Sequence, residues 1–262
     1  MAASGPKRRG RALAAGAAAV AILAAAVAVF AALGGDDNQR PTLATGAQSP
    51  PVTATATTTL PPFTSTVAEA VVPQVAVFDA PEARAPSRTL TNPTETPAPL
   101  VFLVDQQRPD GWLQVLLPVR PNGSTGWIRA ADVRLTQTRY HITVELAAFR
   151  ITVSDGEQIV LQEPVGLGKQ DTPTPGGRYY IKELLQPPDP TTVYGPYAYG
   201  LSGFSNVFTE FNGGEGVIGI HGNNDPSSLG REASAGCIRM SNDGITRLSK
   251  ILPLGTPVEI LP

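Results

Sequence analysis

Glycine and proline each occur 26 times in this 262-residue chain, and where they fall decides what it can fold into. From residue 71 onward they cut the sequence into short apolar runs that leave little room for long helices. That punctuation favours short strands joined by tight turns. "GWLQV" (111–115) is preceded by a turn signal at Pro109, Asp110 and Gly111 and followed by another at Pro121, Asn122 and Gly123. Residues 71–137 are therefore expected to form a small β-barrel. Trp112 and Trp127 stand in it either as ligand-facing aromatics or as core and rim residues, and the second reading is preferred because large aromatics dominate the cores of small domains.

The region 138–262 reads the same way. "HITVELAAFRITVSDGEQIVLQEPVGLG" gives two or three strands with a hairpin turn at Ser154, Asp155 and Gly156. "GRYYIKELL" is another strand, followed by a Gly- and Tyr-rich connection over 186–203. "GVIGIHG" places His221 at a strand end, and "TPVEIL" closes the chain as a final strand. One good helix is expected in "DGITRLSKIL", with Ile245, Leu248 and Ile251 or Leu252 on one face and Asn242 or Asp243 as its cap. The expected class is mostly β, with one or two short helices.

The start of the chain differs. Residues 1–11 carry Lys7, Arg8, Arg9 and Arg11 and no acid, and residues 12–33 carry no charge at all. As a helix this stretch would reach about 33 Å, enough to cross a hydrocarbon core of about 30 Å. With the basic flank held in the cytoplasm, all that follows faces outward. A cleaved signal peptide gives the same outward placement, but the stretch is longer than a signal-peptide core of about 7–15 residues. Residues 34–70, rich in Thr, Ala and Pro, cannot bury enough surface to order themselves and are expected to be a tether.

Only 16% of residues are charged and the net charge is −2, so nothing draws the chain to nucleic acid. A single cysteine, Cys237, excludes an internal disulfide framework. The chain has two histidines. His141 lies in "RYHITV" with no second metal-type ligand nearby and reads as structural. His221 precedes Cys237 by 16 positions. A thiol with a pKa of about 8.5 is only slightly ionised at neutral pH, and a histidine within reach would activate it and later return a proton to a leaving amine. Gly222 and Gly236 would let backbone approach a substrate. Amides near Gly236 and Cys237 would form an oxyanion hole, and Arg239 would orient a carboxylate or hold the loop. A lone buried cysteine and a satisfied strand-end histidine are the bland alternative.

"IHGNN" and "SAGCIRM" together resemble the signature of the L,D-transpeptidase (YkuD-like) catalytic domain. "TPTPGGRYYI", through Thr174, Pro175, Gly177 and Tyr179, resembles a further family segment, as do "GPYAYGLSGF" and "FNGGEGVIGIHG". The likeness covers about 120 residues, from 139 to 261. Upstream, the spacing of "GWLQV" and "GWIRAADVRL" resembles bacterial SH3-like domains. The resemblance implies a YkuD-like β-sandwich or barrel behind an SH3-like barrel. It also implies a reaction on peptidoglycan stem peptides that needs neither a metal nor an organic cofactor. Cys237 would attack the bond before the terminal D-Ala of a stem tetrapeptide, with His221 as base and acid. An amine of another stem would then take the acyl group as a 3→3 cross-link. Ser234, Gly236 and Arg239 would support the site, with Ser234 and Arg239 as substrate contacts. Asn223, Tyr197 and Met240 are further candidate contacts. Family members are acylated by carbapenems, and the same resemblance leads to the expectation of a low-pKa thiol in a monomeric enzyme tethered to the cytoplasmic membrane.

Ala235 stands where the family usually carries His, Tyr or Phe, and Asn223 where Thr is common. The same nucleophile would serve a carboxypeptidase, a degenerate site would serve a binding module, and an intermolecular disulfide would serve a structural envelope protein. A solitary thiol suits a nucleophile outside the cytoplasm, since a second cysteine could oxidise with it.

Overall fold

The alternation and turn signals of residues 65–138 produce seven strands: β1 (Ser65–Ala70), β2 (Gln74–Val77), β3 (Arg88–Thr91), β4 (Val101–Gln107), β5 (Trp112–Leu116), β6 (Thr125–Arg129) and β7 (Val133–Thr138). The computed structural model describes residues 63–210 and 214–262. The expected anchor and the tether up to residue 62 lie outside the described residues. Among the described residues no helix is long and apolar enough to cross a membrane.

Five of these strands form one sheet in the order β6-β5-β4-β1-β7, and β2 pairs with β3 as a separate ribbon. Order begins sooner than composition suggests. Ser65–Ala70, expected as the end of the tether, is a central strand paired on both sides, with Thr66, Val67, Ala68 and Ala70 buried. Trp112 is buried, stacked edge-on with Phe78 and covered by the Arg129 guanidinium 3.6 Å from its ring centre.

The remaining strands are β8 (Tyr140–Glu145), β9 (Arg150–Asp155), β10 (Gln158–Pro164), β11 (Leu167–Gly168), β12 (Gly177–Leu185), β13 (Ala198–Phe204), β14 (Val217–His221), β15 (Glu232–Ser234), β16 (Ile238–Arg239) and β17 (Pro257–Leu261). Eight of them make a sheet in the order β10-β9-β8-β17-β12-β13-β14-β16. The connection expected over 186–203 thus ends in a strand. Its glycines are there for packing: a Cβ on Gly203 would overlap the Tyr179 ring, and one on Gly200 would overlap the Glu183 carboxylate.

The helix α1 (Asn242–Leu248) closes over the sheet with Gly244, Ile245 and Leu248 buried. Its cap is Ser241, one residue before the expected Asn242 or Asp243, and the Ser241 hydroxyl accepts the Gly244 N–H. The Glu163 carboxylate accepts from Ser241 N and Oγ at 2.8 and 2.9 Å, placing a negative charge at the helix N-terminus. Ile251 is 39% exposed, and Leu252 takes the buried position beyond the helix.

Each sheet has its own core, and a smaller apolar cluster joins the two. Tyr180 of β12, fully buried, packs with Val67, Val101, Leu103 and Leu116, and its hydroxyl donates to Val101 O at 2.9 Å. The β5–β6 turn grips the segment before β14. Arg120 donates to the carbonyls of Ser205, Phe208 and Glu215, each at 2.8 Å. Asn122 exchanges two hydrogen bonds with the Phe204 backbone.

Candidate active site

Strand register brings the chemistry together. β14 runs parallel to β16, with Ile220 opposite Ile238 and His221 opposite Arg239. Alternation then sorts the residues. Ile220, Ile238 and Met240 enter the core, while Gly219, His221, Cys237 and Arg239 share the other face. Cys237 lies beside Gly219, whose N–H donates to Sγ at 3.4 Å. His221 sits two residues further along the same strand. Both side chains line two cavities, one of about 70 Å³ and one of about 610 Å³.

His221 is 3% exposed. Its Nδ1 lies 2.6 Å from the Gly222 carbonyl, which can only accept, so Nδ1 carries the proton and Nε2 is the basic nitrogen. The Tyr194 ring packs edge-on at 5.0 Å. Burial pulls the imidazole down to about 4, with the Arg239 charge acting the same way and the Gly222 hydrogen bond opposing it. Burial pushes the Cys237 thiol up, partly offset by the Gly219 N–H and by Arg239. Both shifts favour a neutral thiol beside a neutral imidazole at rest, opposite in direction to the expected low-pKa thiol. With both groups neutral, proton transfer is expected to accompany attack.

The pH dependence of stability follows. A histidine whose pKa falls on folding binds more protons when unfolded, so stability rises with pH across the window between its two values. From pH 6.5 down to about 4, the protein loses about 3 kcal/mol of stability, on the usual conversion of a pKa shift. Urea unfolding at stepped pH measures this, and His221→Gln flattens that part of the profile.

Several other expectations are redirected. The Ser234 hydroxyl donates to Cys237 O at 2.6 Å and accepts from Gly236 N at 3.1 Å, so it holds the nucleophile loop while the residue lines the smaller cavity. The same bond commits the Gly236 amide and takes it out of any oxyanion hole. Gly236 has φ of +120°, which favours glycine there. The Cys237 N–H, by contrast, makes no hydrogen bond among the described residues. Gly222 is glycine because a Cβ would overlap Asn242 Oδ1 and come 2.9 Å from Pro196. Asn223 is buried with both ends of its amide bonded inside the 223–228 turn. Met240 is fully buried in the core. Tyr197 packs against that core, and its carbonyl accepts the Gly222 N–H. Arg239 lines the smaller cavity, and its buried Nε has no hydrogen-bond partner among the described residues. Ala235, exposed, borders the same cavity. His141 lies on β8, four strands from β14, or roughly 19 Å away at ordinary strand spacing. Among the described residues no cluster could hold a metal ion.

Three residues of the site have no role assigned from sequence, although Thr174 and Gly219 stand in segments that resemble the family. Gly219 sets its N–H against the thiol, and a Cβ there would crowd the Tyr199 carbonyl at 3.0 Å; a glycine inside an apolar strand is the signal for such a close backbone approach. Thr174 is buried between strands, accepting from Gly168 N and donating to Gly236 O, each at 2.9 Å. It braces the nucleophile loop across 62 residues. Tyr194 borders both cavities.

A family model for the L,D-transpeptidase catalytic domain, YkuD, matches residues 139–260. YkuD of Bacillus licheniformis is 33% identical over 156 residues, covering 57% of this chain and 86% of that protein. YkuD of Bacillus subtilis (strain 168) is 36% identical over 121 residues, 46% of this chain, and the match spans 65% of that relative, just under two thirds. Among solved structures, an L,D-transpeptidase of Enterococcus faecium superposes with a TM-score of 0.37 at 22% identity, over 47% of this chain and 49% of the other. The chain belongs to the YkuD family of L,D-transpeptidase catalytic domains.

Proposed function

We propose that this protein is an L,D-transpeptidase that forms 3→3 cross-links between peptidoglycan stems through a Cys237 thioester. The observation that carries the reading is the convergence of Cys237 and His221 on one face, beside Gly219, where two cavities meet. A reaction with a donor and an acceptor needs two approaches to one sulfur.

The sulfur attacks the carbonyl of the third residue of a stem tetrapeptide as its proton passes to His221 Nε2. The Cys237 N–H is oriented by the Ser234 and Thr174 braces to receive the developing oxyanion. The bond to D-Ala breaks, His221 protonates the leaving amine, and D-Ala departs. Arg239, with its unsatisfied Nε at the smaller cavity, is suited to the terminal carboxylate of the donor. A side-chain amine of a second stem's diaminopimelate then attacks the thioester. The N-terminal sheet is read as an SH3-like spacer, and residues 12–33 as the anchor that places the site on the wall side of the cytoplasmic membrane.

Incubation of the full chain with a diaminopimelate-containing tetrapeptide tests the reading. Release of D-Ala together with a cross-linked dimer, both read by mass spectrometry, is the expected outcome. A folded protein that yields neither would refute the assignment.

A further inference from the structure

Glu183 on β12 is opposite Gly200 on β13, Gly200 is opposite Gly219 on β14, and the Gly219 N–H reaches Cys237 Sγ. These four residues form one row across the strands, so they share a face. Both positions between the carboxylate and the thiol are glycine. A Cβ on Gly200 would overlap Glu183 Oε1, and one on Gly219 would lie 3.9 Å from Sγ. The row is a bare floor with a carboxylate at one end and the nucleophile at the other. Strands are about 4.8 Å apart and both side chains lean over the glycines, so the gap between them is about 5–10 Å, the span of one amino-acid headgroup.

A β-bulge sets up the far end. The β12–β13 register slips between Ile181 and Glu183, leaving Lys182 as the extra residue. Lys182 and Glu183 both line the cavity of about 610 Å³ that also holds Cys237 and His221. Their side chains are 22% and 8% exposed, and Lys182 Nζ lies 3.5 Å from Glu183 Oε1. The Thr96 hydroxyl, from the N-terminal part of the chain, donates to Glu183 Oε2. An ion pair at this depth gains little for stability over an apolar pair. A carboxylate has about four lone-pair sites and an ammonium has three donors, so both groups keep unused capacity after these contacts. Neither residue borders the smaller cavity, where Arg239 lies.

We propose that Lys182 and Glu183 bind the acceptor substrate by its α-amino-acid headgroup, Lys182 taking the carboxylate and Glu183 the ammonium. This rests on the acyl-enzyme reading above. It selects an amine whose carbon also bears a carboxylate over a simple alkylamine. Once bound, the ammonium gives one proton to solvent and the amine attacks the thioester carbonyl. The second proton passes to His221 as the C–N bond forms and the C–S bond breaks. His221 then returns that proton to the Cys237 sulfur.

D-norleucine and pentylamine differ only by that carboxylate and serve as paired acceptors for the full chain acylated by a stem tetrapeptide. The wild type is expected to favour D-norleucine in kcat/KM, and Lys182→Met to shrink that preference about tenfold, the usual worth of one charge-assisted hydrogen bond. Glu183→Gln is expected to raise KM for both acceptors by about the same factor. D-Ala release without acceptor reads the nucleophile separately. An unchanged preference in a Lys182→Met protein that still acylates overturns the proposal. If Glu183→Gln fails to fold, the Lys182→Met ratio decides alone. A wild type that releases no D-Ala overturns the acyl-enzyme reading, and this proposal with it.

Discussion

Replacing His221 with glutamine is expected to lower D-Ala release from a tetrapeptide about a thousandfold, within the range assigned to a positioned general base. The histidine is buried with Nδ1 tied to the Gly222 carbonyl, so its orientation and tautomer are fixed before substrate arrives. Burial keeps it neutral, at about 4, and keeps the Cys237 thiol protonated. Removing the base therefore leaves a thiol that must lose its proton with no acceptor at hand. Glutamine preserves bulk and a polar end, which limits the change to proton transfer. Steady-state release rates measure the effect. A loss of less than tenfold would place the base elsewhere.

The largest expected effect on stability is Tyr180→Ala, about 4 kcal/mol by analogy with other aromatic truncations in cores. Tyr180 of the eight-stranded sheet is buried among the apolar residues Val67, Val101, Leu103 and Leu116 of the five-stranded sheet, and Val101 O would also lose its donor. Tyr180→Phe keeps the ring and is expected to cost about 1–3 kcal/mol through the unsatisfied carbonyl alone. Urea midpoints of the two variants separate the terms. A Tyr180→Ala loss below about 1 kcal/mol would mean that the two sheets do not depend on this contact.

How much of this was legible in the sequence depends on range. The pair Cys237 and His221 could be read because its motifs are local and the alternation of "GVIGIHG" puts His221 at a strand end. The same alternation, carried one step further, places Met240 in the core with Ile238. Nearness to the motif had suggested a substrate contact. Asn223 was misjudged for a similar reason, since its amide is consumed by its own turn. The β13 strand was hidden because Gly200 and Gly203 look like loop residues, while their reason for being glycine lies on β12. Ser65–Ala70 was hidden inside a Thr/Ala-rich window whose composition says tether. The Thr174 brace joins residues 62 apart, which no local pattern reports. Capping was misplaced by one residue because Ser241, Asn242 and Asp243 are all good caps in a row.

The most direct measurement is the intact mass of the full chain after brief exposure to a stem tetrapeptide, with a carbapenem as a second probe, beside Cys237→Ala. The account predicts an adduct of the tetrapeptide less D-Ala, and a carbapenem adduct, on the wild type alone, mapping by fragmentation to Cys237. A folded wild type that gains no mass from either probe, or a Cys237→Ala variant that gains the same mass, would contradict it.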